Sequence, residues 1–360
     1  MLTFELFAGC GGLAKGLEMA GFTHAGLLEF NRQACESLRL NFNPALVHEI
    51  DVRKVDFRPF EGVDLVSGGP PCQPFSLGGL AKAYDDVRDM FPQAARAIAE
   101  MRPRAFVFEN VKGLLRAKFA PYFRYIINRL TYPECVIRED ESWEDHAKRL
   151  AEIVDGAPYE GLRYRVSYKL LNAADYGVPQ VRERVFIVGL RDDVKGTWTW
   201  PDKVCERKED RMTIRDALKG VPDPRSKEAE LLKDHRFVDG AKEYPGHTGS
   251  DIDRPAKTVK AGAHGVPGGE NMIRFEDGSL RYMSVHEAKL IQSFPPDFAV
   301  TGSWGEALRQ IGNAVPVRLA EAVGSRLREL LEREPARRAK KLSKAILSKP
   351  FPGEELRLAI

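Results

Sequence analysis

Cysteine is scarce in this chain of 360 residues, and its five copies (Cys10, Cys35, Cys72, Cys135 and Cys205) are odd in number and scattered. No two form a Cys-x-x-Cys pair, so neither a zinc ribbon nor a disulfide framework is indicated. Long apolar runs are also missing: nothing approaches the roughly 18 residues of a membrane helix. The first residues, Met1-Leu2-Thr3-Phe4-Glu5-Leu6, have no basic segment and place an acid among apolar residues, which argues against a signal peptide. A reducing, cytoplasmic location without membrane contact is expected. An excess of one charge is lacking too, because a net charge of +3 implies no nucleic-acid partner by itself. What is present is ordinary for a globular protein, with 43% hydrophobic and 30% charged residues. The length suits one large domain plus a smaller one.

The first 190 or so residues alternate short apolar runs with amphipathic stretches. Strands are predicted over 2–7, 23–28, 45–50, 63–67, 105–108, 166–171 and 184–190, and helices over 13–20, 32–41, 89–100 and 119–130. Near-continuous apolar strands separated by helices mean a parallel sheet covered on both faces, a doubly wound α/β domain. Residues 131–162 break the rhythm. Rich in acids, from Glu134 to Asp145, they read as an exposed insertion. Over 192–285 glycine, proline and charge become frequent, as expected of a second, irregular domain of short strands and long loops. Helical pattern returns over 284–293 and again over 317–331, where the last helix should pack back on the sheet. From Arg333 to Lys344 the tail is basic, as a solvated helix end or a phosphate-contacting arm would be.

Ligands bind outside the carboxyl ends of strands in open parallel sheets, and the polar residues fall there. The first strand runs into the turn Phe7-Ala8-Gly9-Cys10-Gly11-Gly12, the second ends in Glu29-Phe30 and the third in Asp51. Glycine turns are often just tight connections, but a following acid can accept from ribose hydroxyls while Phe30 lies against an adenine and Asp51 accepts from its amino group. The fourth strand delivers Cys72 on Pro70-Pro71-Cys72-Gln73, and the fifth delivers Glu109-Asn110. A cysteine between proline and turn is poorly placed for core packing and well placed as a nucleophile, given an activated thiol. In Gln180-Val181-Arg182-Glu183-Arg184, the two arginines share one face of a strand and suit an anion or carbonyl.

In content and order these motifs, with Gly312-Asn313-Ala314-Val315-Pro316 and Gln292-Ser293-Phe294-Pro295, resemble the DNA cytosine-C5 methyltransferases of prokaryotes. The likeness spans Phe4 to about Gly324. It implies a Rossmann-like catalytic domain that takes S-adenosyl-L-methionine and releases S-adenosyl-L-homocysteine, with no metal. It implies Cys72 as nucleophile toward C6, Glu109 as acid at N3, Arg184 on the O2 carbonyl and Arg182 positioning Cys72 or the base. Phe7, Gly9, Gly11, Glu29, Phe30, Asp51, Pro70 and Asn313 would line the cofactor site. Glu5 stands where the family commonly has aspartate.

By the same resemblance residues 1–191 form the catalytic domain, 192–285 the target-recognition domain, and 286–332 a hinge and last helix completing the catalytic domain, ahead of the tail 333–360. A lid over 76–91 would carry Ser76 and Arg88 to double-stranded DNA, and Arg254, Lys257, Lys260, His264 and Arg274 would contact it from the recognition domain. The protein would act as a monomer, with a functionally paired restriction endonuclease as a further partner. A tRNA cytosine methyltransferase would carry a Cys-Phe-Thr-containing motif, which is absent. A non-catalytic relative would have lost the cysteine, acid or arginine. A nicotinamide-dependent dehydrogenase leaves the prolyl-cysteine loop unexplained.

Overall fold

The computed structural model describes residues 1–71, 89–245, 247–261 and 271–333. Strands β1 (Leu2–Leu6), β2 (Thr23–Glu29), β3 (Val47–Glu49), β4 (Leu65–Gly68), β5 (Ala105–Val111), β6 (Tyr164–Asn172) and β7 (Glu183–Arg191) form one sheet in the order β3-β2-β1-β4-β5-β7-β6. All but β7 run parallel; β7 lies antiparallel between β5 and β6. The sheet is therefore mixed. The order reverses between β1 and β4, which opens a crevice at their carboxyl ends.

Helices α1 (Gly12–Met19), α2 (Arg32–Asn41), α3 (Phe91–Met101), α4 (Ala120–Thr131), α5 (Trp143–Val154), α6 (Ile214–Ala217), α7 (Val285–Ile291), α8 (Trp304–Asn313) and α9 (Val317–Glu332) accompany the sheet. The pleat of β5 sends Phe106 and Phe108 toward α3 and α4, and Ala105 and Val107 toward α1 and α9. Burial of both faces explains why the central strands are mostly apolar, the buried Thr3, Glu5 and Ser67 apart. Helices α1 and α9 touch closely because Gly16 has no Cβ, which would sit 2.4 Å from that of Ala320. No helix among the described residues is long and apolar enough to cross a membrane.

Three expectations differ from the structure. The acidic stretch is no exposed insertion: it contains α5, capped by Ser142, with His146 and Leu150 fully buried against the sheet-and-α4 core. Glu144 and Asp145 stand exposed in the first turn of this helix. Helix α8 was not predicted at all. The third strand is shorter than expected, because Pro44–Leu46 forms a 3₁₀ turn before it. Over 192–285 regular structure is sparse, and β8 (Ser250–Asp251), β9 (Met272–Arg274) and β10 (Leu280–Tyr282) make a small sheet in the order β10-β9-β8. Ile214, Ile252, Val259 and Ile273 from this region share one hydrophobic cluster with Leu27, Leu38 and helices α7 and α8.

Candidate active site

The turn after β1 is built on left-handed backbone at Phe7 (φ 55°), Gly9 (φ 56°) and Gly11 (φ 96°). Glycine adopts this conformation at little cost, whereas Phe7 is strained. A Cβ on Gly9 would meet nothing within 4 Å, so the turn faces open space. One on Gly12 would lie 2.3 Å from Val315 O, so the turn is packed against the segment after α8. Glu29 fixes the turn from the next strand: its Oε2 accepts from Gly9 N at 2.8 Å, and its Oε1 accepts from Phe30 N (2.8 Å) and Asn31 N (2.7 Å). A carboxylate has about four acceptor positions, which leaves one on Oε2. Phe30 beside it is 67% exposed, an unusual state for a phenyl ring flanking a polar crevice.

Asp51 is not a free acceptor. It caps its own turn through Arg53 N and forms a two-pronged pair with the Arg53 guanidinium, with Nη2 2.5 Å from Oδ2. That pairing holds its carboxyl below the usual carboxylate range. Asn313, at the last turn of α8, is exposed.

The ends of β4 and β5 form the second half of the site. Glu109 is buried, 7% exposed, and its Oε1 lies 2.9 Å from Arg184 Nε. The antiparallel register of β5 and β7 makes this pair, since it sets Glu109 opposite Phe186 and Val111 opposite Arg184. Burial pushes the Glu109 carboxyl up, while the guanidinium groups of Arg184 and Arg182 oppose the rise. The carboxyl therefore keeps its proton to higher pH than an exposed glutamate, which suits proton donation. A Cβ on Gly69 would be 3.6 Å from Glu109 Oε2, so the backbone leading toward Cys72 passes directly beside the acid. Asn110 Nδ2 ties that backbone down by donating to Pro70 O at 2.9 Å. Met90 N donates to Pro71 O at 3.2 Å, bringing the two flanks of 72–88 together. Cys72, Ser76 and Arg88 themselves, and His264, lie outside the described residues.

Arg182 is only 1% exposed and does not share the Glu109 pair. Its guanidinium donates instead to the backbone carbonyls of Val259 (3.2 Å), Gly312 (2.7 Å) and Ala314 (3.1 Å). The arginine pattern alone does not separate these two fates. Gln180 and Gln292, fully buried beside it, received no role from the sequence; a lone glutamine ahead of two arginines is the one signal that could have found the first.

Four of the expected DNA contacts lie on β9 or in the segment that follows β8. Lys257 Nζ donates to Thr248 Oγ1 at 2.7 Å, and Arg274 donates to Thr248 O while pairing with Glu243 at 2.8 Å. Arg254 is 80% exposed in its side chain and 3.9 Å from Asp251. Lys260 is exposed, with its backbone N–H donating to Asn271 Oδ1. Among the described residues no group of three or more His, Cys, Asp or Glu could hold a metal ion.

A glycine turn answered by an acid on the next strand thus stands at the same sheet edge as a buried Glu–Arg pair two strands away. The profile of the C-5 cytosine-specific DNA methylase family matches residues 1–132 and 144–329. The Type II methyltransferase M.NgoMIV of Neisseria gonorrhoeae is 34% identical over 349 residues, covering 92% of this chain and 98% of that protein. The Type II methyltransferase M.AplI of Arthrospira platensis is 31% identical, covering 98% and 91%. In fold the chain is similar to a putative DNA modification methyltransferase encoded within an Escherichia coli prophage, with TM-score 0.64, 22% identity and coverage of 92% and 99%. The chain belongs to the C-5 cytosine-specific DNA methylase family and is a DNA cytosine-C5 methyltransferase.

Proposed function

We propose that the chain moves the methyl group of S-adenosyl-L-methionine to C5 of a flipped-out cytosine in a short duplex DNA sequence, through a covalent adduct with Cys72. The observation that carries this reading is the buried Glu109–Arg184 pair, 2.9 Å apart. An acid and a guanidinium side by side match the N3 and O2 edge of a pyrimidine. That edge is out of reach inside the stack, so the base must leave it.

Each residue then has a task. The Cys72 sulfur bonds to C6. Glu109 gives its proton to N3 and accepts from the exocyclic amine, while Arg184 holds O2, so electron density gathers at C5 rather than on the ring's polar edge. S-adenosyl-L-methionine, when bound, supplies the electrophilic methyl that C5 takes. Water removes the C5 proton, the C5–C6 double bond re-forms, the C6–S bond breaks to return the Cys72 thiolate, and the N3 proton goes back to the Glu109 carboxylate. Asn110 holds Pro70, and through it the start of the Cys72 loop, against the acid. The scheme calls on no metal.

The open turn at Gly9 and the exposed ring of Phe30 fit an adenosine group. Phe7, Gly9, Gly11, Glu29, Phe30, Pro70 and Asn313 would hold it. With one acceptor position left, Glu29 takes one ribose hydroxyl without giving up a backbone donor. Asp51 would reach the adenine amine only by exchanging part of its Arg53 pair. Residues 192–285 would read the DNA site, with Arg254, Lys257, Lys260 and Arg274 on that face, and Ser76, Arg88 and His264 would add contacts. One copy suffices, because the flipped base needs a single asymmetric site. The Type II names of the relatives support a paired restriction endonuclease.

Transfer of labelled methyl to mixed-sequence plasmid DNA, followed by bisulfite sequencing, tests the reading. Label at one short motif, lost in Cys72→Ser, is expected. Label on tRNA alone, or undiminished label in Cys72→Ser, would refute it. A second expectation concerns Glu29→Ala, which removes an acceptor that serves both the turn and the ribose. Charge-assisted hydrogen bonds of this kind are worth about 1.5–3 kcal/mol, so affinity for S-adenosyl-L-homocysteine, read by calorimetry, should fall roughly 10- to 100-fold.

A further inference from the structure

The polar side chains that the reaction scheme leaves idle gather in one buried cluster. Gln180 Oε1 accepts from Val259 N at 3.0 Å, and Gln180 Nε2 donates to Gln292 Oε1 at 3.0 Å. Gln292 Nε2 donates to Ile311 O at 2.6 Å, and its backbone carbonyl accepts from Val317 N. Arg182 closes the cluster with its donations to Val259, Gly312 and Ala314. Three chain segments meet at Gln292, the C-cap of α7. The first, 179–182, leads into β7 and sets Arg184 two residues on; it is laced to the second by Val181 N→Ala256 O and Ala256 N→Pro179 O, both 2.8 Å. The second, 256–261, belongs to the recognition region. The third, 311–315, carries Asn313 and packs on the cofactor turn at Gly12. Gly312 permits the closest approach, since a Cβ there would lie 2.5 Å from Ala261 N.

The cluster thus links the segment expected to sense DNA, the segment behind the cofactor turn and the strand that presents Arg184. Fully bonded buried networks specify one arrangement, because slipping any member strands a polar group. The cluster is not quite complete: Arg182 Nε is buried without a partner among the described residues. Displacing any one of these segments against the others would strand further polar groups.

We propose that Gln180 and Gln292 are positioning residues that couple the two substrates, so that cofactor binding tightens DNA binding through this clamp. The proposal rests on the functional reading above. It is tested with the full chain and a duplex oligonucleotide carrying the site mapped by bisulfite sequencing. DNA affinity is measured with and without saturating S-adenosyl-L-homocysteine, for wild type, Gln180→Met and Gln292→Met. Wild type should bind DNA at least fivefold tighter with the homocysteine compound, a coupling of ordinary size. In either variant that factor should fall to within twofold of one, while affinity for S-adenosyl-L-homocysteine without DNA changes less than threefold.

Far-UV circular dichroism and a thermal melt identify a variant that has not folded. Gln180→Asn, which keeps both amide atoms on a shorter stem, then takes its place with the same expectation. An unchanged coupling factor in folded variants overturns the proposal, as does a wild type that methylates DNA yet shows no coupling. A wild type that methylates no DNA overturns the functional reading instead.

Discussion

Methyl transfer by Glu109→Gln is expected to fall roughly 10³-fold, within the range for loss of a positioned acid, while binding of S-adenosyl-L-homocysteine stays within about twofold. The amide keeps the shape of the carboxyl beside Arg184, so the fold and the glycine turn are untouched. What disappears is the proton delivered to N3, without which negative charge accumulates on the pyrimidine as the Cys72 sulfur adds to C6. The pH profile supplies the mechanistic readout. Burial raises the Glu109 carboxyl, against the pull of Arg184 and Arg182. The active, protonated form is therefore retained above the usual glutamate range and lost as pH rises through the raised value. Single-turnover rates of wild type should fall on that alkaline limb, and the residual activity of Glu109→Gln should lack it. A variant with near-normal single-turnover rate would show that the proton comes from elsewhere.

This half of the site was readable because its two carriers follow apolar runs: Phe106-Val107-Phe108 reads as a buried strand, which sets Glu109 near its carboxyl end, although the strand continues to Val111. The same logic located Glu29 and the glycine turn. Sequence gave less where long-range geometry decides. Nothing local tells Arg182 from Arg184, since the alternation puts both on one strand face, yet β7 starts only at Glu183 and Arg182 precedes it. They part because β7 runs antiparallel beside β5, turning one toward Glu109, while the other meets carbonyls from segments 77 and 130 residues away in the chain. Asp51 was read as a free acceptor because the competing Arg53 only reveals itself once the turn is folded. Helix α5 was hidden by its acids, which obscured the spacing of His146 and Leu150, and α8 was overlooked although Ser303 caps it by accepting from Glu306 N.

Replacing Glu5 by glutamine is expected to flatten a pH dependence of stability that the wild type carries through neutrality. Glu5 lies on β1 opposite Ser67 on β4 and is 1% exposed. Its carboxyl accepts from Ser67 Oγ at 3.3 Å, and the backbone of Ala14 near the start of α1 favours its anion. These bonds and the helix terminus favour the anion, but complete burial outweighs them, and the nearby Glu29 charge adds to it. The carboxyl is pushed from 4.5 up to about 8. Between those values the folded chain holds a proton that the unfolded chain has released. The folded state is therefore most favoured below about pH 4.5 as far as this group is concerned, loses stability as pH rises, and has lost the full amount above about pH 8. At 1.36 kcal/mol per unit the whole effect has an upper limit of roughly 4–5 kcal/mol, of which about 2–3 kcal/mol falls between pH 6 and pH 8. Glutamine has no proton to lose and can donate to Ser67 Oγ in the same space, so its urea-unfolding free energy should change less over that interval by about this difference. The consequence reaches function because Ser67 leads directly to Gly68-Gly69-Pro70, and Ala14 lies just beyond the cofactor turn. An ionised Glu5 loads a repulsive charge beneath both halves of the site, next to Glu29. Affinity for S-adenosyl-L-homocysteine should accordingly weaken between pH 7 and pH 9 in wild type and hold steady in Glu5→Gln. Parallel stability curves for the two proteins would mean that Glu5 is already ionised at neutral pH, with its carboxylate held by Ser67 and the first turn of α1.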